Sequence, residues 1–235
     1  MVAEEVLFEK KNGLAFLTFN RPEAHNAMNS AMVARLLQFI EQLKEEEDVK
    51  VVVLRGAGKS YCAGVDIKEA AKLGAQQGTK YHQLLVDLYA EIDSFPKPVL
   101  SSVHGYALGH GCACVAASDL AISSNEAILG MPEIDLGTFP YLSAIPLIRC
   151  LGLKKAFELL FTGRRVTGQE AERIGLVNSS VPSEKLSDAT LELANILASK
   201  STQAMRIGKE TFAIMRELGY KMSLRYGHQL LTKEP

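Results

Sequence analysis

The chain has 235 residues, 47% hydrophobic and 23% charged, the balance of a soluble globular protein long enough to bury a sizeable core. Its 26 basic and 27 acidic residues leave a formal charge of −1, which argues against a surface built for nucleic acid or an anionic membrane. No apolar run reaches the roughly 18 residues of a membrane-crossing helix, and the opening MVAEEVLFEKKNG has early acids and no apolar stretch, unlike a secretory signal.

Taken in chain order, residues 5–10 and 14–19 read as two strands joined by Lys11-Asn12-Gly13, a hairpin signal. After the turn at Asn20-Arg21-Pro22 the apolar positions Met32, Val33, Leu36, Leu37, Ile40 and Leu43 fall at helical spacing. Val49 to Leu54 is nearly all β-branched and apolar, as a strand buried on both faces requires. Gly74-Ala75-Gln76-Gln77-Gly78 reads as an exposed loop, and Tyr81 to Phe95 as an amphipathic helix stopped by Pro96-Lys97-Pro98. Val99 to Val103 is a second buried strand. Gly105 to Ala117, rich in small residues, reads as a helix packed closely on a sheet. Two short strands follow at 120–123 and 127–129. Beyond Leu153 the pattern is mostly helical, ending in helices at about 183–199 and 201–218 with no strand between them.

Gly58-Lys59-Ser60 has the look of a phosphate-binding loop, but the glycine that motif needs five residues earlier is Val53. Cys62, Cys112, Cys114 and Cys150 fit neither a disulfide framework nor a zinc pattern, since Cys112-Ala113-Cys114 is too tight. They read as reduced core thiols of a cytoplasmic protein. More informative are two glycine-rich strand-to-helix junctions, Ser60 to Ile67 and His104 to Cys112. Such junctions leave backbone N–H groups free, and two on neighbouring strands could aim at one carbonyl oxygen and stabilise an enolate. Close packing alone would also explain the glycines. Glu133, in the apolar turn-like stretch Met131 to Gly137, is a candidate general base whose surroundings would raise its pKa. A capping or ion-paired glutamate is the plainer alternative.

These residues resemble the crotonase superfamily, the enoyl-CoA hydratase/isomerase family. The likeness runs from about Val6 to about residue 218. It includes Asn20-Arg21-Pro22-Glu23-Ala24-His25-Asn26-Ala27, Tyr61-Cys62-Ala63-Gly64-Val65-Asp66-Ile67, Gly105-Tyr106-Ala107-Leu108-Gly109, Pro132-Glu133 with Gly137, and Leu160-Phe161-Thr162-Gly163 through Gly175-Leu176-Val177. The resemblance implies an α/β fold: a crotonase-like spiral of ββα units over 1–182, holding the acyl-CoA site, then a C-terminal helical trimerisation region over 183–235. That region reads as shortened, because the family continues past the position of Pro235. The implied partners are an acyl-CoA thioester and further copies in a homotrimer or dimer of trimers. No nucleic acid, membrane, metal or tightly bound cofactor is expected, coenzyme A entering as part of the substrate.

By the same resemblance the oxyanion donors are the backbone N–H groups of Val65 and His110. Ala24, His25, Ala27, Ala63, Val65, Asp66, Ile67, Lys68, Gly109 and His110 line the substrate and its CoA, and Glu133 is catalytic. Two-glutamate hydratases of the family carry their other carboxylate where this chain has Ala113, flanked by Cys112 and Cys114. Asp135 is a minor candidate to replace it if the stretch is extended. His110 stands where the family usually has glycine. Its side chain reads first as filler, with a polar substrate contact and an auxiliary acid as alternatives. One base and an oxyanion hole suffice for a Δ3-Δ2-enoyl-CoA isomerase. Hydration through Glu133, decarboxylation of a malonyl-type thioester and a catalytically silent acyl-CoA binder are the alternatives.

Overall fold

The computed structural model describes residues 4–232. The hairpin forms from β1 (Val6–Lys11) and β2 (Leu14–Phe19), antiparallel in register, with Asn12 and Gly13 both at positive φ (52° and 77°) as a tight two-residue turn requires. Helix α1 (Ser30–Glu45) starts where Asn29 accepts a hydrogen bond from the Met32 amide and buries Met32, Val33, Leu36, Phe39, Ile40 and Leu43. Strand β3 (Val51–Gly56) runs parallel to β2, and the one-turn helix α2 (Ile67–Ala70) follows.

Helix α3 spans Ala75–Ser94, so the stretch read as an exposed loop is exposed but helical from Ala75. The small-residue segment divides: Tyr106–Leu108 is strand β5, and only His110–Ala117 is helix α4, because Leu108 and its neighbours pair with a second sheet. Strands β4 (Val99–Val103), β6 (Leu120–Ser124) and β7 (Ile128–Gly130) complete this part, close to where the apolar runs place them.

Beyond residue 130 a 3-10 turn, Pro132–Leu136, leads to α5 (Ala144–Thr162), which breaks at Gly152 (φ 70°). Strands β8 (Arg165–Thr167) and β9 (Ser179–Val181), of three residues each, were invisible to periodicity. They flank α6 (Gly168–Ile174). Helices α7 (Leu186–Ala198), α8 (Thr202–Met215) and α9 (Tyr220–Thr232) end the described chain, the last in a stretch to which the pattern assigned no element.

The large sheet has the order β1-β2-β3-β4-β6-β9, parallel from β2 onward, and the small sheet is β5-β7-β8. The chain therefore alternates: β4 enters the large sheet and β5 the small one before α4 returns, then β6 and β7 do the same before α5. This is a spiral of strand–strand–helix units. Both faces of the large sheet are covered. Ala15, Leu17, Phe19, Val52 and Leu54 face the main core with α1, α3 and α4, while Leu14, Phe16, Val51 and Val53 meet α7 through Leu186, Ala194 and Ala198. Among the described residues no helix is long and apolar enough to cross a membrane.

Candidate active site

The two junctions come together because isolated strand bridges stitch them side by side. Cys62 pairs with Ala107 and Met28 with Val65, both in parallel sense. The Cys62 amide donates to Tyr106 O (2.9 Å), and the Leu108 amide to Cys62 O (3.0 Å). A Cβ placed on Gly64 would lie 3.1 Å from Leu108 O and 3.8 Å from the His110 nitrogen, so the backbone carrying Val65 runs directly past the start of α4. In the Met28–Val65 bridge, Met28 N donates to Gly64 O and Asp66 N to Met28 O, which leaves the Val65 N–H unused. His110 is the first residue of α4, where an N–H has no carbonyl one turn back. Among the described residues neither amide donates a hydrogen bond.

Glu133 reaches this place from the 3-10 turn. Gly109 adopts φ 51° and ψ −120°, and a Cβ there would lie 2.7 Å from Glu133 Oε1. Only glycine lets the carboxylate settle on the backbone that leads into α4. Glu133 Oε2 is buried without a hydrogen-bond partner. Burial pushes the carboxyl above its ordinary pKa, opposed by its own backbone amide and the Ser143 hydroxyl. Val65, Gly109, His110 and Glu133 thus share one locus.

Ala113 is 0% exposed, one turn into α4, and its amide closes that first turn on Gly109 O (2.9 Å). Asp135 does not face the same way as Glu133: the stretch is 3-10, not extended, and two residues on it point apart. Asp135 is exposed, with Oδ1 2.8 Å from where a Gly163 Cβ would stand. Burial pushes the Cys112 thiol up to about 12 and the Cys114 thiol well above its ordinary value, so both stay protonated at neutral pH.

The His110 ring packs away from the oxyanion amides. It lies parallel to Tyr89 (5.8 Å between centroids, 8° between planes), with Nδ1 2.6 Å from Tyr89 Oη. Burial, then the nearby His82, lowers its pKa to about 4. The imidazole is neutral at pH 7 and offers no imidazolium acid. Tyr89 carries no sequence signal beyond its place on the buried face of α3.

The remaining predicted residues form the rim. Ala24 and Ala27 are half-buried, and His25 is exposed at positive φ (49°) with Nδ1 3.0 Å from Ser60 Oγ. The Ala63 amide donates to His25 O (3.0 Å), tying this turn to the first junction. Ile67 and Lys68 are exposed. Asp66 is committed elsewhere: its side chain accepts from the Lys68 and Glu69 amides to start α2 and from Arg21 Nη2 at 2.8 Å. Burial raises its pKa, but the Arg21 hydrogen bond and the two amides outweigh that and hold it below the usual carboxylate range. Sequence reasoning missed Arg21 in this part. It also missed Ser143, a wholly buried serine just ahead of α5. Arg21 stands inside the Asn20 to Ala27 segment, but nothing there signals its pairing with Asp66, and no motif marks Ser143.

A family model described as "Enoyl-CoA hydratase/isomerase" matches residues 9–233. The short-chain-enoyl-CoA hydratase of Clostridium acetobutylicum is 35% identical over 212 residues, covering 89% of this chain and 81% of that protein. The 2,3-dehydroadipyl-CoA hydratase of Escherichia coli is 30% identical over 229 residues, 97% of this chain and 89% of its own. Among solved structures, an enoyl-CoA hydratase of Mycobacterium smegmatis superposes with a TM-score of 0.92 at 33% identity, covering 97% of this chain and 89% of that one.

Proposed function

Since the chain belongs to the enoyl-CoA hydratase/isomerase family and processes acyl-CoA thioesters, we propose that it is a Δ3-Δ2-enoyl-CoA isomerase with Glu133 as its single base. The thioester oxygen would accept from the Val65 and His110 amides, which are donors without acceptors among the described residues. Two preorganised N–H groups stabilise the negative charge that grows on that oxygen when a proton leaves the carbon between the carbonyl and the double bond. Glu133 takes that proton and returns it at the far end of the dienolate, which moves the double bond into conjugation with the carbonyl. A carboxyl raised by burial is a stronger base when charged and holds the proton between the two transfers.

The observation that carries this reading is the lone carboxylate. Glu133 lies unpaired against Gly109, and the position where the resemblance places a second carboxylate is the methyl group of Ala113. Hydration of a 2-enoyl-CoA through Glu133 alone is the second reading, favoured by the names of the relatives. Turnover of 3-hexenoyl-CoA and crotonyl-CoA followed by mass spectrometry separates them, because hydration adds one water and isomerisation adds nothing. Glu133→Gln is expected to keep fold and CoA affinity while lowering turnover by about two to four decades. A variant with near-normal rates on both substrates ends the proposal, and binding without turnover in the native protein would make it a silent acyl-CoA binder.

The proposal extends to assembly. Helices α8 and α9 bury no residue in the single chain and leave Ile207, Phe212, Ile214, Tyr220, Met222 and Leu224 exposed. Apolar faces of this kind are covered by a partner in solution, here by further copies in a trimer or dimer of trimers. Sedimentation at micromolar concentration is expected to give three or six times the chain mass, and a clean monomer contradicts it.

A further inference from the structure

Two buried polar atoms at the site have no hydrogen-bond partner among the described residues, Glu133 Oε2 and Ser143 Oγ. Ser143 is 0% exposed and sits just ahead of α5 with helical backbone angles (φ −71°, ψ −18°), yet its side chain caps no amide of that helix. A buried hydroxyl that serves neither helix nor core is a cost to the fold unless it has another partner. The Ser143 hydroxyl lies beside the Glu133 carboxyl and favours its charged form against the push of burial. The 3-10 turn that carries Glu133 packs against α5, which Ser143 immediately precedes, and neither oxygen makes a hydrogen bond in the free protein; catalytic contacts commonly tighten only with substrate.

Among the described residues no charged side chain pairs with Glu133, and those on the elements packed near it are neutral or committed elsewhere. On α4, Cys112 is a neutral thiol and His110 a neutral imidazole. On α5, Cys150 is an exposed thiol that carries no charge, and Arg149 pairs with Glu217. On the 3-10 turn, Asp135 faces Gly163. Near β8, Arg164 pairs with Glu158 and Glu170, and Arg165 is exposed. A hydroxyl donor is what remains to steady the carboxylate.

We propose that Ser143 is the positioning residue of Glu133. Its hydroxyl donates to Oε2 of the charged carboxylate and leaves Oε1, against Gly109, to move the proton. When Glu133 carries that proton, the hydroxyl turns and gives up its donor role, so Ser143 favours the basic form without itself exchanging a proton with substrate. The inference rests on the reading of Glu133 as the base.

The test is the titration of Glu133, read by carbon-13 NMR of glutamate-labelled protein and assigned as the signal lost in Glu133→Gln, beside the pH–rate profile on 3-hexenoyl-CoA and crotonyl-CoA. Ser143→Ala keeps a residue suited to helical backbone and removes only the hydroxyl. Losing a donor to the charged form raises the pKa, so the titration and the acidic limb of kcat should both move up by roughly half to one pH unit. Turnover at neutral pH should fall about tenfold with KM nearly unchanged. Ser143→Cys, similar in shape and a weaker donor, should fall between wild type and Ser143→Ala, and supplies the readout if Ser143→Ala does not fold. A lowered kcat with the Glu133 titration unmoved means a structural serine and overturns the proposal. If Glu133→Gln is inactive while the Ser143 variants titrate like wild type, the assignment of Ser143 falls and that of Glu133 stands. If Glu133→Gln keeps full turnover, both fall.

Discussion

The two strand-to-helix junctions each present one unused amide, and they differ in what holds them: side-chain hydrogen bonds serve the first, backbone contacts the second. The first, from Ser60 to Ile67, is fixed by directional polar bonds. The wholly buried Asn26 donates to Ala57 O (2.9 Å) and Ser60 O (2.6 Å) and accepts from the Arg21 amide (2.9 Å). Arg21 in turn joins Asp66 and also reaches Glu5 at 3.4 Å. The second junction, from His104 to Cys112, is fixed by close backbone contact. A Cβ on Gly105 would lie 1.9 Å from Lys59 O, and one on Gly111 would lie 2.1 Å from Cys62 O. Directional bonds from a buried amide side chain orient the start of the first junction, whose Ser60, Tyr61 and Cys62 are themselves buried. Backbone packed against backbone leaves no room for side chains, and there the missing Cβ lets the Cys62–Tyr106 and Leu108–Cys62 backbone hydrogen bonds close.

That contrast predicts which kind of change harms each side. The largest effect belongs to the packed junction. Gly111→Ala cannot be accommodated by rotating a side chain, because the obstructing atoms are the Cys62 carbonyl, so urea unfolding should show a loss of about 3 kcal/mol. A near-neutral result would mean that the two backbones are not in contact. Asp66→Asn is milder. It keeps an N-cap for α2 and removes the charge partner of Arg21, at about 1 kcal/mol of stability. The damage should appear in KM rather than kcat, since the turn from Ala24 to Ala27 is what Arg21 tethers. A change in kcat alone would refute that division.

The smallest effect is a pH dependence, and its sign follows from the shifts. Asp66 is held below its ordinary pKa, so its contribution is complete above that value, about 3.9, and is lost as pH falls further. The stability gap between wild type and Asp66→Asn should be constant above about pH 5 and close below about pH 4. Glu133 behaves oppositely. Its raised pKa means that folding disfavours the charged form, so mild acid relieves a cost at the second junction before it weakens the first. A gap that widens in acid would reverse this assignment.

How much of this was legible depends on the range over which each signal acts. The hairpin, α1 and the buried strands are written in local pattern, because Asn12-Gly13 favours one turn and a β-branched run such as Val51 to Val53 suits a strand covered on both faces. Strands β8 and β9 are too short for any period to show. They exist because β7 and β6 offer edges to pair with. Leu108 was read into the helix for a related reason, since small residues at 105–117 serve a close-packed strand end as well as a helix. The exposed Gly74 to Gly78 lies outside the apolar periodicity, and its helix is propagated backward from the buried face that Tyr81 and Leu85 begin.

The site divides the same way. Sequence alone determined the pieces that act through their own backbone or composition: the two glycine-rich junctions, the acid in an apolar turn, and alanine at position 113 where a second carboxylate was sought. Tertiary structure decided which of them meet and what each is free to do. It aligned the Val65 and His110 amides through bridges between residues 45 and 37 apart in the chain, Cys62 with Ala107 and Met28 with Val65. It spent Asp66 on Arg21, turned Asp135 outward and sealed His110 as a neutral ring against Tyr89. It also brought Ser143 beside Glu133, ten positions earlier in the chain. The physical reason is that a free donor, a raised pKa and an unpaired oxygen are properties of surroundings. The groups that make those surroundings come from other turns of the spiral, and no local pattern of residues records them.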